Sequence, residues 1–388
     1  MWKAFFHTFV SNIRKSDRVF WLLTTAATVY GCLLIASQER NGGSGFLKTQ
    51  VIAAVVGLVA AFVISLTDFR EIAGLWKWVA GIALMLTFAV FFAGIRVSGT
   101  DDVGWLRLPW GLTFQPSELT KVCFILTFSK HLSYLEKTER LKRFSGVMAL
   151  TLHAMIPIGL IHMQGDDGAA LIFGCMALAM MFAGGVPLRY FMILTLCVVP
   201  AVPFVWLRVM NDDQKNRLVS LFSTDDSMLK TYGWQQYQGK ISVASGGIFG
   251  KGLFQGSRTG AGIVPYQEND FIFTAAGEES GLVGGLAVIL LFAWMLIRLL
   301  KNAYSADSLL GKSICIGCFA LIGTQVFVNL GMVLGLLPVV GITLPFFSAG
   351  GTSVACLYLS VGLAQSVYMH PDDPSEKPVH VNTSSLVG

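Results

Sequence analysis

Long apolar runs dominate the chain, and short polar stretches separate them. A helix needs roughly 17–25 apolar residues to cross a lipid bilayer. On that criterion the pattern predicts ten membrane helices, at 19–37, 48–66, 76–96, 118–133, 145–163, 169–185, 189–208, 271–298, 312–336 and 350–369. The fourth and sixth runs are short and the eighth is interrupted. We therefore expect an all-α integral membrane protein with one membrane domain over 19–369.

The composition agrees with a membrane protein. Of 388 residues, 54% are hydrophobic and only 13% are charged, whereas about 25% of residues in a soluble domain are charged. The net charge of +5 does not indicate nucleic acid, because the basic residues fall between the apolar runs in a way that orientation explains. All seven cysteines lie in or beside apolar runs, where a thiol behaves as a small hydrophobe. The C-x-x-C at Cys315 and Cys318 is therefore not read as a redox motif.

The basic residues also predict the orientation, because short cytoplasmic loops carry an excess of Lys and Arg. The short loops of one side hold only Arg40, Lys48, Arg96 and Arg107. The other side holds Lys3, Arg14, Lys15, Arg18, Arg70, Lys77, Lys130, Lys137, Arg140, Lys142, Arg143, Arg189, Arg298, Lys301, Lys312 and Lys377. Both termini are therefore predicted in the cytoplasm, with residues 1–18 as a cytoplasmic segment and 370–388 as a disordered cytoplasmic tail.

The segment 211–270 between the seventh and eighth spans is predicted to lie outside the cell. It is rich in Gly, Ser and Gln and contains Arg217, Lys251 and Arg258. Long connections in compact proteins are usually functional. We interpret this one as the substrate-facing element.

The first polar cluster surrounds the start of the fourth span, in the stretch from Trp105 to Lys121. Pro116 suits the first turn of a helix, and Glu118 and Lys121 share one helix face, which favours an ion pair. Both charges could simply reach the interface by snorkelling. A cavity is favoured because a charge at mid-bilayer costs about 2.5–3.5 kcal/mol. Trp105 is equally compatible with an aromatic belt.

The second cluster is a turn at 164–168 that contains Asp166. Gly and Asp are ordinary turn residues, so a plain tight turn explains much of it. Adjacent carboxylates at a membrane surface also suit a divalent cation. The spacing does not decide between the two.

The third cluster runs from 241 to 270. Its glycines permit a close backbone approach to a ligand, and Lys251 and Arg258 suit a phosphate or pyrophosphate; the alternative is a flexible, solvated loop. Asp270 stands at the mouth of the eighth span, where partial desolvation would make it a general base; the alternative is a helix cap.

The fourth cluster, 337–353, contains Pro338, Pro345 and the pair Gly350 and Gly351. These residues break regular helix, and non-helical backbone at membrane depth persists only against protein or a watery cavity. We expect a broken element beside the site. Ser348, Thr352 and Ser353 would then satisfy freed backbone groups.

Together these clusters resemble the SEDS family of bacterial cell-wall proteins, which includes RodA, FtsW and SpoVE. The resemblance runs from about Asp17 to Tyr368. It rests on FQPSELTK at 114–121, SGGIFGKGLFQGS at 245–257, DFIFTAAGEESGLVGG at 270–285 and NLGMVLGLLPVVGITLPFFSAGGTS at 329–353. Within the family the stretch GKGLFQGSRT has the RodA-like form.

The resemblance implies a ten-span fold and a peptidoglycan glycosyltransferase that polymerises lipid II on the outer face of the bacterial cytoplasmic membrane, for elongation, division or sporulation. It implies a class B penicillin-binding protein as partner and polyprenyl-pyrophosphate-linked glycan as substrate. Asp270 matches the family's essential aspartate. Other matches to its polar pattern are Trp105, Glu118, Lys121, Asp166, Arg217 and Lys251.

In this scheme Asp270 removes the acceptor's proton, while Lys251, Arg217 and a divalent cation such as Mg²⁺ or Mn²⁺ stabilise the departing pyrophosphate. Asp166 and Asp270 are the candidate metal ligands, and no organic cofactor is expected. A lipid II flippase and a non-catalytic activator of a penicillin-binding protein remain alternatives. The sequence departs from the family pattern at Gly104, Gly165, Asp167, Tyr266, Asn269 and Ala349, which puts acceptor recognition in question more than fold.

Overall fold

The computed structural model describes residues 15–40, 45–96, 103–109, 113–208, 210–223 and 225–371. Most of the predicted N-terminal segment and of the predicted tail lie outside these ranges. Helices make up nearly all regular structure within them: α1 Arg18–Glu39, α2 Phe46–Leu66, α3 Phe69–Gly74, α4 Trp76–Ala93, α5 Pro116–Lys137, α6 Phe144–Met163, α7 Asp167–Ala183, α8 Leu188–Arg208, α9 Asp212–Ser220, α10 Asp226–Lys230, α11 Trp234–Ser245, α12 Ser257–Gly260, α13 Ile272–Ser305, α14 Leu309–Val333 and α15 Gly351–Met369.

Three short strands form an antiparallel sheet between α4 and α5. They are β1 Gly94–Ile95, β2 Trp105–Arg107 and β3 Thr113–Phe114, in the order β1-β2-β3. Leu106 of β2 pairs with Gly94 on one side and Phe114 on the other. The sheet places the strand that carries Trp105 beside β3, which directly precedes α5.

All ten predicted spans fall on helices, which confirms the all-α membrane architecture. Among the described residues, eight helices are long and apolar enough to cross a membrane. Of the other two, α5 carries Glu118 and Lys121 near its start, and α7 is apolar but shorter. The crossing of the bilayer by α5 and α7 therefore stays a prediction.

The helix α14 lies at the centre of the bundle and contacts α5, α7, α13 and α15. Of its apolar window 72% is buried, whereas none of the window of α8 is. A helix that is apolar all round and covered by neighbours is a core helix. In α8 the same apolar composition faces outward.

Small residues allow α2 and α15 to pack closely. A Cβ at Gly57 would lie 2.9 Å from the Cα of Ala355, and one at Gly362 would lie 2.7 Å from the carbonyl oxygen of Ala61. Small residues at a helix contact are a common means of membrane helix association. A larger side chain at either glycine would force the two helices apart.

The predicted interruption of the eighth span is a break in α13 at Gly281, whose φ of 64° is left-handed. The carbonyls of Glu278 and Glu279 accept backbone bonds from Lys251 and Gly252, at 3.0 and 2.9 Å. On the other side of the break, the backbone N–H groups of the two residues after Gly281 donate to backbone carbonyls of the same loop, at 2.9 and 3.1 Å. The loop therefore supplies the backbone bonds that the broken helix lacks.

The segment 211–270 is folded. It contains α9, α10, α11 and α12, and the side chains of Gln236, Ser242 and Thr259 are buried. The alternative of a flexible, solvated loop is therefore wrong for its described part.

Candidate active site

Asp270 is half-buried and lies two residues before the start of α13. The N-cap of that helix is Phe271, so Asp270 does not occupy the cap position. The Asp270 carbonyl accepts a hydrogen bond from Asn329 Nδ2 at 2.7 Å. A Cβ at Gly341 would lie 3.6 Å from Asp270 Oδ2. The carboxylate therefore borders residues 334–350 between α14 and α15, called here the broken segment.

The broken segment contacts the regions around two further predicted site residues. A Cβ at Gly168, which follows Asp166 by two residues, would lie 2.6 Å from the carbonyl oxygen of Val340. From α9, Arg217 Nη1 donates to the carbonyl of Val339 at 3.2 Å. The Asp166 turn, Arg217 and Asp270 therefore all adjoin residues 339–342.

The backbone of the broken segment is irregular, as the sequence predicts. Gly341 has a φ of 70° and Phe346 one of 66°, and left-handed φ is unfavourable for a bulky residue. Ser348 takes the predicted role of satisfying freed backbone groups, since its Oγ accepts from Leu344 N at 2.8 Å and donates to Asn269 O at 2.6 Å.

Asp166 is half-buried and caps α7, since its Oδ1 accepts from Ala169 N at 2.8 Å. Its Oδ2 accepts from Gln115 Nε2 at 3.2 Å. Gln115 is the N-cap of α5 and follows β3 directly. These bonds place Asp166 beside the sheet that carries Trp105, whose Nε1 is buried and has no partner among the described residues.

Glu118 and Lys121 form the predicted ion pair, with Lys121 Nζ 2.8 Å from Glu118 Oε1. Pro116 begins α5, also as predicted. The two side chains are only 9% and 2% exposed. The snorkelling alternative is therefore wrong, because both charges lie inside the protein.

Lys251 is paired with a buried carboxylate. Its Nζ lies 2.7 Å from Oε1 of Glu278, a residue with no exposed surface. The same carboxylate accepts from Arg258 N at 3.0 Å and from the N–H and hydroxyl of Thr259, both at 2.7 Å. Glu278 thus anchors the 251–259 stretch, and about a third of the Lys251 side chain remains exposed.

The Arg258 guanidinium is bound within the segment itself. Its Nε donates to Ser242 Oγ at 2.9 Å, and its Nη2 donates to the side chain of Gln238. Within the described residues, the side chains of Lys251 and Arg258 are bonded to Glu278, Ser242 and Gln238 rather than to Asp270. The pyrophosphate role that the sequence predicts for them stays a prediction.

Asn329 and Gln115 are site residues that sequence reasoning missed. Asn329 is fully buried and donates to both Asp270 O and Ile342 O, each at 2.7 Å. The available signal was an amide within an otherwise apolar run, which is costly in a membrane unless it is bonded. Gln115 had no comparable signal, because an amide at a helix start is ordinary.

The departures from the family pattern differ in what they contribute to the site. Asn269 and Ala349 contribute only backbone groups to the bonds around Asp270: Asn269 O accepts from Ser348, and Ala349 N donates to Glu268 O at 2.8 Å. Those bonds are independent of the side chains.

At Gly165, by contrast, φ is 89°, a left-handed conformation that favours glycine. Asp167 Oδ1 lies 2.6 Å from His162 Nδ1, and its Oδ2 accepts from Gln214 Nε2 at 2.6 Å. The turn around Asp166 is therefore tied to α9 through Asp167 and Gln214. Tyr266 also has a left-handed φ, of 51°, and is exposed, whereas Gly104 is buried.

No group of three or more His, Cys, Asp or Glu side chains within the described ranges is arranged to hold a metal ion. Mg²⁺ commonly uses only one or two carboxylates together with substrate phosphates. Asp270 and the turn that carries Asp166 both border residues 339–342, and their role as metal ligands stays a prediction.

The chain matches known proteins over nearly its whole length. The FtsW/RodA/SpoVE family model, described as cell cycle protein, matches residues 17–372. A probable peptidoglycan glycosyltransferase FtsW from Geobacter metallireducens is 32% identical over 92% of this chain and 96% of its own. The peptidoglycan glycosyltransferase MrdB of Escherichia coli is 30% identical over 91% of this chain and 94% of its own.

Solved structures share the fold. A structure described as "Structural coordination of polymerization and crosslinking by a peptidoglycan synthase complex" aligns with a TM-score of 0.78 at 26% identity, covering 91% of this chain and 97% of that one. The rod shape determining protein RodA of Thermus thermophilus aligns with a TM-score of 0.66 at 26% identity, covering 91% and 96%. The FtsW and MrdB relatives match at similar sequence identity. Sequence identity therefore does not decide whether this chain is more similar to FtsW or to MrdB.

Proposed function

Because the chain belongs to the FtsW/RodA/SpoVE family of cell cycle proteins, we propose that it is a peptidoglycan glycosyltransferase that polymerises lipid II. The observation that carries this proposal is the half-buried Asp270 at the mouth of α13, which adjoins the same four residues, 339–342, as Arg217 and the Asp166 turn. A carboxylate and a cation beside one irregular segment suit a reaction that removes a proton and releases an anion.

In the proposed reaction Asp270 takes the proton from the 4-hydroxyl of a lipid-linked disaccharide, the acceptor. That oxygen forms a bond to the anomeric carbon of the donor glycan. The bond between this carbon and the polyprenyl pyrophosphate breaks, and the pyrophosphate leaves with the electron pair. Each cycle adds one disaccharide and yields one protonated carboxyl group, which returns its proton to solvent.

Stabilising the leaving pyrophosphate needs fixed positive charge. The Arg217 guanidinium lies next to residues 339–342, and Lys251 remains partly exposed beside Glu278. A divalent cation held by Asp166 and Asp270 would supply further charge to the phosphate oxygens when bound. Trp105 and the Glu118 and Lys121 pair complete the proposed substrate-binding set.

The proposal extends to location and partner. The apolar helices support a multi-pass membrane protein, which we place in the bacterial cytoplasmic membrane with both termini inside. The likeness to a structure from a complex that couples polymerisation to crosslinking supports a class B penicillin-binding protein as partner. Copurification of such a protein with the tagged chain from membranes tests this pairing.

Purified protein in liposomes with labelled lipid II tests the activity. The parent chain should produce glycan polymer, and Asp270→Ala should produce none. Asp225→Asn is the matched control, because Asp225 lies exposed in the same segment; it should polymerise at the parent rate.

The two alternatives give different results in the same system. A flippase would move lipid II across the bilayer without forming polymer. A non-catalytic activator would need its partner for any polymer, and Asp270→Asn would still restore growth in cells that lack the parent gene. Either result would overturn the enzymatic proposal.

A further inference from the structure

Asp270 lies outside the regular part of its own helix, so α13 alone does not fix its direction. Phe271, which follows it, has a φ of −113° and makes no side-chain cap. A catalytic side chain needs support from neighbouring groups to hold its geometry. The support for Asp270 must therefore come from other elements.

Two side chains donate hydrogen bonds to the backbone on either side of the Asp270 Cα. Asn329 from α14 donates to Asp270 O at 2.7 Å, and Ser348 from the broken segment donates to Asn269 O at 2.6 Å. Asn329 is 0% exposed and Ser348 is 3% exposed. The peptide groups before and after Asp270 are thus each held by a buried donor.

Each donor also holds the broken segment. Asn329 Nδ2 donates to Ile342 O at 2.7 Å, and Ser348 Oγ accepts from Leu344 N at 2.8 Å. Gln50 from α2 fixes the carbonyl of Ser348 at 2.9 Å. The same two side chains therefore set the position of Asp270 relative to the broken segment.

The chemistry of the amide suits the role of position 329. Bridging two carbonyls from one atom requires two donor hydrogens, and the Asn Nδ2 has two. A hydroxyl has one donor and a carboxylate has none. Asn329 Oδ1 is buried without a partner among the described residues, an unfavourable arrangement that the two donated bonds offset.

We propose that Asn329 and Ser348 are positioning residues that aim Asp270 at the acceptor hydroxyl. This inference rests on the proposed glycosyltransferase function. A small misplacement of a catalytic group lowers the rate by about 100-fold. Loss of either donor should therefore lower kcat and leave KM for lipid II within about threefold, because both side chains are buried and hold only the backbone around Asp270.

The test compares Asn329→Leu, Asn329→Asp and Ser348→Ala with the parent chain in the lipid II polymerisation assay, per folded molecule. We expect kcat to fall about 10–100-fold in all three. Ser348→Thr keeps the hydroxyl and should recover most of the rate. Gln325→Leu is the matched control: Gln325 is equally buried one turn earlier on α14, and its loss should leave kcat unchanged.

A purely structural role would instead lower the amount of folded protein and leave kcat per folded molecule at the parent value. That result, or an equal fall in kcat for Gln325→Leu, would overturn the inference. If the Asn329 variants fail to fold, the contrast between Ser348→Ala and Ser348→Thr decides. A parent chain that makes no polymer would refute the proposed function itself, which separates the two failures.

Discussion

The buried pair of Glu118 and Lys121 makes a quantitative prediction about stability. The Nζ to Oε1 distance of 2.8 Å corresponds to an attraction of about 6 kcal/mol at an effective dielectric constant of about 20. Desolvation of both charges offsets most of this attraction. Removing one partner leaves the other charge buried and unpaired, which destabilises a protein by about 3–5 kcal/mol.

We therefore expect Lys121→Met and Glu118→Gln each to lower the melting temperature and the yield of monodisperse protein in detergent. The double variant should recover most of the loss, because it leaves no unpaired charge in the core. Intrinsic fluorescence during heating measures this in parallel for all four chains. Single variants as stable as the parent, or a double variant as unstable as the singles, would refute the reasoning.

The activity of the double variant then decides the role of the pair. If either charge contacts substrate, the stable double variant should fail to polymerise lipid II. Retained activity would remove both residues from the substrate-binding set and leave them a structural role.

Three further outcomes follow from the geometry. Gly250→Ala should lower the free energy of unfolding by about 2–4 kcal/mol, because the new Cβ would lie 2.2 Å from a backbone carbonyl oxygen and the residue has a φ of 79°. Gly174 has open space around it, so Gly174→Ala should be neutral or slightly stabilising. Equal melting temperatures for the two variants would contradict this prediction. Arg217→Ala should lower the polymerisation rate about 10–100-fold, as expected for a lost charge-assisted contact. Arg258→Ala should mainly lower thermal stability. The reverse pattern would contradict the roles given to these two arginines. Asp225→Cys should react with a membrane-impermeant maleimide in intact cells more strongly than the parent chain does, and labelling only after lysis would reverse the predicted orientation.

The sequence predicted the helices well because the membrane imposes a length and composition on every span. The start of α5 at Pro116 and its ion pair also followed from local spacing. Both features depend on residues within a few positions of one another, which a single sequence displays directly.

The break at Gly281 was visible only as an interruption. The backbone bonds that complete it come from a loop roughly thirty residues earlier, and no local pattern specifies that partner. The same limit applied to Asn329, whose two carbonyl partners are Asp270 and Ile342. The roles of Lys251 and Arg258 also depended on such partners, since Glu278, Gln238 and Ser242 hold them.

The proton acceptor role of Asp270 is the central claim, and the rate of a single round of lipid II coupling in Asp270→Asn tests it most directly. The amide keeps the size of the side chain and its place beside Gly341 but cannot take a proton at neutral pH. General base catalysis contributes about 10²–10⁴-fold, so the account predicts a rate lower by at least about 100-fold with lipid II binding unchanged. A variant that couples lipid II within about threefold of the parent rate would contradict it.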